Sequence, residues 1–374
     1  MDLLNTIKNT LKPATMIKAG SYSSNCYTKE NLPYKLLLRV DEKGLGRLVV
    51  NASTLLFLNQ TSTEYVYHYV QGKYGDDVVA FMQSKYRAEK KEILSDYEIM
   101  INEIEALLGR VDVNPESSIS GITIDTHRDI DGIPVKLDCY LTFRNSEKVI
   151  MDQTELDLAQ WKKIIANSVE AGIPHFVLVG GDPLVRSDVF DLIAYSEELG
   201  VVMGLVSSQN ALSVEKVTAL IANGLDHLSV VVTAGSTPDW ALFKAISEKN
   251  LFFKIVFEVT NANYQNVQKY LANCLPNGVN NIAFEMTEQM DQALFDALFD
   301  KIDEVGLTFN PFTEIRILDG TGEELARYGR EDFANYKKTI VMPDGKIQQL
   351  VNGKWKAPGS ILDGSWAELE KKLG

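Results

Sequence analysis

The sequence lacks the long apolar runs, the targeting segment and the positive charge that define several large classes of protein. No apolar run in its 374 residues approaches the roughly 18–20 residues that a membrane helix needs, so we expect no membrane partner. No basic stretch followed by an apolar core occurs near Met1, so we expect a cytoplasmic protein. The net charge of −14 opposes nucleic-acid binding, because that affinity comes largely from Lys and Arg that neutralise phosphates.

Cysteine and the common catalytic motifs are scarce as well. The three cysteines, Cys26, Cys139 and Cys274, are far apart in the sequence, so no CxxC or CxxxCxxC cluster is present to predict a metal site. A nucleophile elbow, a phosphate loop, an HExxH helix and a dinucleotide fingerprint are also absent. The sequence therefore predicts no metal site and none of these catalytic sites.

What is present indicates a globular protein of two domains. A content of 45% hydrophobic and 24% charged residues is typical of such proteins. Single cores stop growing near about 250–300 residues, and this chain is longer. Residues 1–32 predict a lead-in arm, and the polar residues 111–133 predict a linker.

Between the arm and the linker, residues 33–110 predict a small domain. Alternating apolar residues predict a ribbon of two strands at 34–40 and 46–50. Apolar residues at helical spacing then predict two short helices over 55–70 and a longer helix over 78–108.

The second half of the chain has the pattern of repeated βα units. Short apolar runs recur there, and an amphipathic stretch lies between each pair: 176–179, 201–206, 228–232, 252–257 and 282–284. This pattern predicts a parallel sheet, and a closed or partly closed barrel is favoured over an open sheet. Functional groups of such barrels lie just past the strands.

Two of these strand ends carry glycine or acidic residues. Gly180 and Gly181 allow positive φ and let the polar head of a ligand approach the backbone, and Pro183 fixes the exit; the alternative is a turn that needs glycine for geometry alone. Glu258 and Glu285 are candidates for an acid, a base or a binder of an amine, and the alternative is that both are exposed rim carboxylates.

The short polar run at 207–210 also has two interpretations. Ser207, Gln209 and Asn210 suit the hydroxyls or the carboxylate of a ligand, whereas a simple N-terminal cap of the next helix would explain part of the run. His175 and His227 precede strands, which places them at the opposite end of the barrel, where residues usually serve stability.

The order of the elements resembles known families. Residues 33–108, with LLLRV at 36–40, LNQT at 58–61 and YVQGK at 69–73, resemble the PqqD-like peptide-recognition domain, a winged-helix module that binds leader peptides of ribosomally made natural products. The resemblance implies that a peptide adds as a strand beside 46–51 and lies against the helix of residues 85–108. The peptide-binding residues predicted in this way are Gly46, Arg47, Leu48, Val49, Val50 and Asn51.

Residues 134–318 look like the partial (β/α)6 barrel of radical S-adenosylmethionine enzymes. Residues 134–145 are similar to the family's first strand and cluster loop, and GGDPL at 180–184 is similar to its GGEP-type turn, which meets the methionyl amino group. Residues 319–374, with PDGKI at 343–347, look like a shortened SPASM-type extension. The resemblance implies a vestigial S-adenosylmethionine site at Gly180, Gly181, Asp182, Pro183, Ser207, Gln209 and Asn210.

The sequence departs from this family where the family carries its cysteines. Three cysteines in CxxxCxxC hold a four-iron cluster in the family, but Thr142 is followed by residues 143–148 without a cysteine, and Cys139 lies within the strand. Leu350 stands where the extension would carry a cluster-binding cysteine. The departures imply that the chain holds no iron–sulfur cluster and performs no radical chemistry.

The leading hypothesis is an α/β pseudoenzyme with a winged-helix domain, a partial TIM-like barrel and a SPASM-like remnant. It would bind a precursor peptide and act as a scaffold or as the partner of an active maturase. The alternative is an iron-independent enzyme that binds S-adenosylmethionine or another small molecule at the barrel mouth, with Glu258 or Glu285 as its acid–base group. A third hypothesis, an intact radical enzyme, requires Cys26, Cys139 and Cys274 to converge.

Overall fold

The chain divides into two compact units, residues 1–126 and 127–374. The computed structural model describes residues 17–27, 33–41, 43–50, 54–108, 122–123, 134, 136–145, 154–249, 251–288, 292–306, 314–318, 338–351, 354–362 and 364–372. The division falls within the predicted linker, and the finer division into five segments stays a prediction. Within the described ranges, no helix has the length and apolar character needed to cross a membrane.

The first unit contains an antiparallel sheet of five strands in chain order. The strands are β1 (Gly20–Tyr27), β2 (Pro33–Val40), β3 (Gly46–Val50), β4 (Thr54–Leu58) and β5 (Ile122–Thr123). β2 and β3 are the predicted ribbon. β1 lies in the segment predicted as an arm, where its polar sequence gave no strand signal. All eight of its residues pair with β2, and β1 ends the sheet among the described strands.

Three helices follow β4 in the first unit. They are α1 (Gln60–Val70), α2 (Asp76–Lys85) and α3 (Lys90–Leu108). The side chain of Asn59 caps α1 by accepting a hydrogen bond from the Ser62 N–H at 2.9 Å. Leu36, Leu38 and Leu48 of the sheet pack with these helices into one core.

Two helix predictions for this unit were wrong. The apolar residues of β4 were predicted as helical, but a five-residue apolar run fits a buried strand equally well, and pairing with β3 decides in favour of the strand. The predicted helix over 78–108 is two helices, and they are separated by an extended residue at Tyr86.

The second unit is built on a ten-stranded sheet. Seven parallel strands run in order across it: β6 (Lys136–Tyr140), β7 (His175–Val179), β8 (Val202–Ser208), β9 (His227–Val232), β10 (Phe252–Val259), β11 (Asn281–Met286) and β12 (Glu314–Leu318). β13 (Lys338–Val341) pairs with β6 in parallel, and β14 (Lys346–Val351) and β15 (Lys354–Ser360) continue antiparallel. The predicted α/β architecture with a parallel sheet is therefore confirmed.

Helices alternate with the parallel strands. They are α4 (Leu158–Ala171), α5 (Val189–Glu198), α6 (Val214–Ala222), α7 (Trp240–Ser247), α8 (Val267–Cys274) and α9 (Gln292–Gly306), and α10 (Trp366–Lys371) comes last. Side chains such as Phe176, Phe243 and Phe284 form the core between the helices and the sheet. Among the described residues the outermost strands are β12 and β15, so the sheet forms an open arrangement.

A histidine pair lies at the amino-terminal ends of the strands. His175 and His227 begin β7 and β9, and their Nε2 atoms are 2.7 Å apart. Gly204 on β8 leaves the space that the His227 ring fills, since a Cβ there would overlap the ring. Burial and the ammonium group of Lys136 lower the pKa of His175, and burial followed by His175 itself lowers the pKa of His227. Both rings are therefore neutral near pH 7, and one donates a hydrogen bond to the other.

We expect this pair to make the second unit sensitive to acid. Because both folded-state pKa values lie below the unfolded value of about 6.5, the stabilisation is present above that pH and is lost as the pH falls below it. Between pH 7.5 and 5.0, the unfolding free energy should fall by about 1–2 kcal/mol more in the wild type than in a H175Q/H227Q variant. Urea unfolding followed by circular dichroism measures this difference, and parallel pH curves for the two proteins would contradict it.

Candidate active site

The carboxyl ends of β6 to β11 lie at one edge of the parallel sheet, and the predicted site residues are found there. Gly180 and Gly181 directly follow β7 and have φ values of +83° and +53°. A Cβ on Gly180 would overlap the ring of Tyr140, and a Cβ on Gly181 would overlap the carbonyl oxygen of Arg144. Backbone geometry and packing therefore both require glycine, which supports the interpretation of these residues as a tight turn.

The turn is fastened to the loop that follows β6. The Asp182 N–H donates to the Arg144 carbonyl oxygen at 2.7 Å. One carboxylate oxygen of Glu155 accepts hydrogen bonds from the Thr142 hydroxyl at 2.8 Å and from the Phe143 N–H at 2.7 Å. This loop was predicted, by resemblance, to correspond to a cluster loop, and a carboxylate organises it. Residues 146–148, the rest of the cysteine-free stretch, lie outside the described residues.

Arg186 completes this network from the other side of the turn. Its guanidinium donates to the Leu156 carbonyl at 2.9 Å and to the Leu141 carbonyl at 3.3 Å, and it forms a bidentate pair with Asp188 at 2.7 and 2.9 Å. Only 11% of its side chain is exposed, so these charge-assisted bonds form in a largely desolvated place. No sequence motif marks Glu155 or Arg186, so neither residue was predicted.

The buried Asp182 is the polar residue at this edge with unused bonding capacity. It is 2% exposed, and its Oδ1 accepts from the Leu184 N–H at 3.0 Å and from the Ser207 hydroxyl at 2.9 Å. Its Oδ2 is buried and has no hydrogen-bond partner in the described structure. A buried carboxylate oxygen in this state is costly unless a donor reaches it, so Asp182 can accept a donor from a ligand. Pro183, the next predicted residue, is buried at the first position of a short 3₁₀ helix.

Gln209 and Asn210 have different surroundings. The Gln209 amide donates to the Thr237 carbonyl at 3.0 Å and accepts from the Asp239 N–H at 3.1 Å, so it holds the loop after β9. Asn210 is exposed, and its N–H donates to the hydroxyl of Ser208, which caps the short 3₁₀ helix there. Capping and loop fastening thus explain much of this polar run.

Glu258 and Glu285 stand side by side on β10 and β11, where they are register partners. Neighbouring strands are about 4.8 Å apart, so the two carboxylates share one face of the sheet at close range. Both residues are partly buried, and Glu258 Oε2 accepts a hydrogen bond from the Ala234 N–H at 2.9 Å. The sequence suggested both carboxylates separately, but their pairing follows from the register. Two such carboxylates suit an amine or another cation.

The cysteines have the surroundings of structural residues. Cys139 and Cys274 are completely buried in the core of the second unit, and burial raises the pKa of both thiols, that of Cys274 to about 12. Cys26 is partly buried in the first unit. Within the described ranges, no group of three His, Cys, Asp or Glu side chains could hold a metal ion. Leu350 is a partly buried residue of β14, opposite Lys338 and Trp355.

The predicted mode of peptide binding in the first unit needs a correction. β3 contains Gly46, Arg47, Leu48, Val49 and Val50, and it pairs with β2 along one edge and with β4 along the other. A peptide therefore cannot add as a strand beside β3, because both rows of backbone groups are already bonded. Asn51 lies outside the described residues. The sheet ends at β1 on one side and at the two-residue β5 on the other. Since β5 pairs with only Phe57 and Leu58, the rest of that β4 edge has no strand beside it among the described residues.

Part of the chain is similar in sequence to known peptide cyclases. No family model matches the chain. It is 35% identical over 78 residues to the PqqA peptide cyclase of Methylocella silvestris, which is 21% of this chain and 21% of that protein. It is 31% identical over 86 residues to the PqqA peptide cyclase of Streptomyces rochei, 23% of this chain and 24% of that one. The chain is distantly related to these cyclases. The matched part spans less than a quarter of their length.

Solved structures give weaker likenesses. Streptococcus suis SuiB bound to the precursor peptide SuiA is similar with a TM-score of 0.49 and 14% identity, over 87% of this chain and 82% of that chain. The anSMEcpe protein with bound AdoMet and a Cp18Cys peptide has a TM-score of 0.44 and 13% identity, over 63% of this chain and 80% of that chain.

The packing at Gly181 gives a measurable expectation. Gly181→Ala should destabilise the second unit by about 2–4 kcal/mol, because the new Cβ meets the Arg144 carbonyl and the residue has positive φ. Gly235→Ala is the matched control, since Gly235 also has positive φ but no atom lies within 4 Å of its Cβ position. We expect this control to cost about 1 kcal/mol. Equal losses in chemical denaturation would show that backbone strain alone, and not packing, requires Gly181.

Proposed function

We propose that this protein binds a precursor peptide during the maturation of ribosomally made peptides. Its second unit would be a radical S-adenosylmethionine-like fold without the iron–sulfur cluster, acting as a scaffold or as the partner of an active maturase. The observation that supports this most directly is the distant relationship to PqqA peptide cyclases. The matched part is short, so the activity and the peptide partner of the cyclases are only a proposal for this chain.

The first unit has the architecture that such a role needs. A small antiparallel sheet with outer strands accepts an extended peptide through backbone hydrogen bonds, which give affinity with little dependence on sequence. Three helices support one face of this sheet with an apolar core, so the strands are held in place for a partner. We propose that the peptide adds at β1 or along the β4 edge, and not beside β3.

The residues of the second unit do not fit a four-iron cluster. The whole chain has three cysteines, and Cys139 and Cys274 lie in an apolar core where burial opposes the thiolate that binds iron. The loop after β6 is instead held by the carboxylate of Glu155 and the guanidinium of Arg186. We therefore propose that the loop is stabilised without metal and that the unit supplies shape and contact surface.

Peptide binding is tested by titrating the full chain with fluorescently labelled leader segments of the short peptides encoded beside its gene. We expect saturable binding to one of them in the micromolar range or tighter, with Kd unchanged in a Ser207→Ala control, because Ser207 belongs to the second unit. Absence of saturable binding to every such peptide, with the chain folded by circular dichroism, would overturn the proposal.

An alternative function is favoured by one specific observation, the unpartnered Oδ2 of buried Asp182. In this alternative, the mouth of the sheet binds S-adenosylmethionine or another small molecule that presents an amine or a hydroxyl to this oxygen. Glu258 and Glu285 then supply the acid–base group on the neighbouring strands.

Calorimetry with S-adenosylmethionine separates the two functions. The alternative requires micromolar binding that weakens at least about tenfold in Asp182→Asn, since the amide puts an N–H donor where the ligand's donor would lie. Oδ1 and its two partners are retained by this substitution. No heat of binding to the wild type would leave the scaffold role.

A further inference from the structure

The edge of β4 that points away from β3 already carries an extended segment of the same chain. β5 consists of two residues, and it pairs antiparallel with β4, with Phe57 opposite Thr123 and Leu58 opposite Ile122. The sequence of β5 lies far from β4, after α3. The edge of β4 therefore accepts a strand that is brought in from a distant part of the sequence.

The pairing of β5 is short in comparison with the rest of the sheet. β1 and β2 pair over eight positions, and β3 and β4 pair over five. β5 occupies two positions of β4, and no strand among the described residues pairs with Thr54, Leu55 or Leu56 on that edge. A longer extended peptide could thus form more backbone hydrogen bonds with β4 than β5 does.

The edge also defines what an occupant must look like. Leu56 and Leu58 belong to the apolar core of the unit, and Phe57, between them, belongs to the other face. Residues directly opposite in an antiparallel pair share a face. An occupant that extends over β4 therefore needs apolar residues at alternate positions, opposite Leu58 and Leu56.

We propose that β5 is a resident strand that occupies the β4 edge, and that an extended peptide with apolar residues at alternate positions must displace it to bind there. The inference rests on the proposed function for the identity of its partner, a precursor peptide. In the absence of a partner, β5 pairs with the β4 edge. A covalently attached strand competes at a high effective concentration, so only a peptide with a longer match displaces it.

The test uses a fluorescein-labelled synthetic peptide with the sequence of residues 119–126, ISGITIDT. The full chain is compared with an Ile122→Pro/Thr123→Pro variant, in which β5 loses the N–H groups that it could donate to β4. We expect the variant to bind the labelled peptide at least about tenfold more tightly than the wild type by fluorescence anisotropy, because the attached copy no longer competes. A Ser117→Pro/Ser118→Pro variant, changed outside β5, should bind like the wild type.

A second variant guards against a folding defect. Ile122→Asp keeps the backbone donors and places a charge opposite Leu58, and we expect it to open the edge as the proline variant does. A labelled peptide with aspartate in place of Ile122 should bind none of the proteins. Equal affinity of the wild type, the proline variant and the aspartate variant for the original peptide, or no binding to either folded variant, would overturn the inference.

This experiment is independent of any precursor peptide. If the β5 variants bind the labelled peptide of residues 119–126 more tightly but no encoded leader binds, the displacement of β5 is supported and the proposed function is refuted. If a leader binds with the same Kd to the wild type and to both β5 variants, the proposed function stands and the displacement of β5 is refuted.

Discussion

Backbone pairing is the constraint on which the rest of the structure depends. Each strand offers two rows of N–H and C=O groups, and a row that is bonded to a neighbour is closed to any partner. β3 has both rows occupied, by β2 and β4. Any further strand that joins this sheet must therefore pair at one of its outer edges. In the second unit the same constraint orders seven parallel strands and brings their carboxyl ends to one edge.

Two charged side chains, those of Glu155 and Arg186, can fix a loop by bonding to its backbone. Here the loop after β6 is fixed by hydrogen bonds from the Thr142 hydroxyl and the Phe143 N–H to one carboxylate, and the guanidinium next to it bonds two carbonyl groups. Such a network restricts the conformation of the loop, since its bonds connect residues 141–143, 155–156 and 186, which are separate in the sequence.

Much of the second unit could be predicted from the sequence, because a parallel strand covered on both sides is a continuous apolar run. The runs that became β7 to β11 are of this kind. β1 and β4 were not predicted as strands. β1 has a polar sequence, and its strand conformation depends on pairing with β2. β4 has only five residues, too few for the spacing of its apolar residues to distinguish a strand from a helix. The site residues were found one by one from their position after strands, but the pairing of Glu258 with Glu285 and the bonding of Asp182 with Ser207 depend on register and on contacts between strands.

The position of β13 has a consequence for how the protein is made. β13 bonds to β6 at Asp138 and Cys139 through residues Ile340 and Val341, so the first parallel strand of the unit receives its second neighbour from a strand that follows β12 in the sequence. During synthesis on the ribosome, β6 to β12 all emerge before this neighbour does. The nascent sheet thus exposes the β6 edge during that interval, when unpaired strand edges are prone to wrong pairing. A chaperone that covers this edge would act before β13 is synthesised.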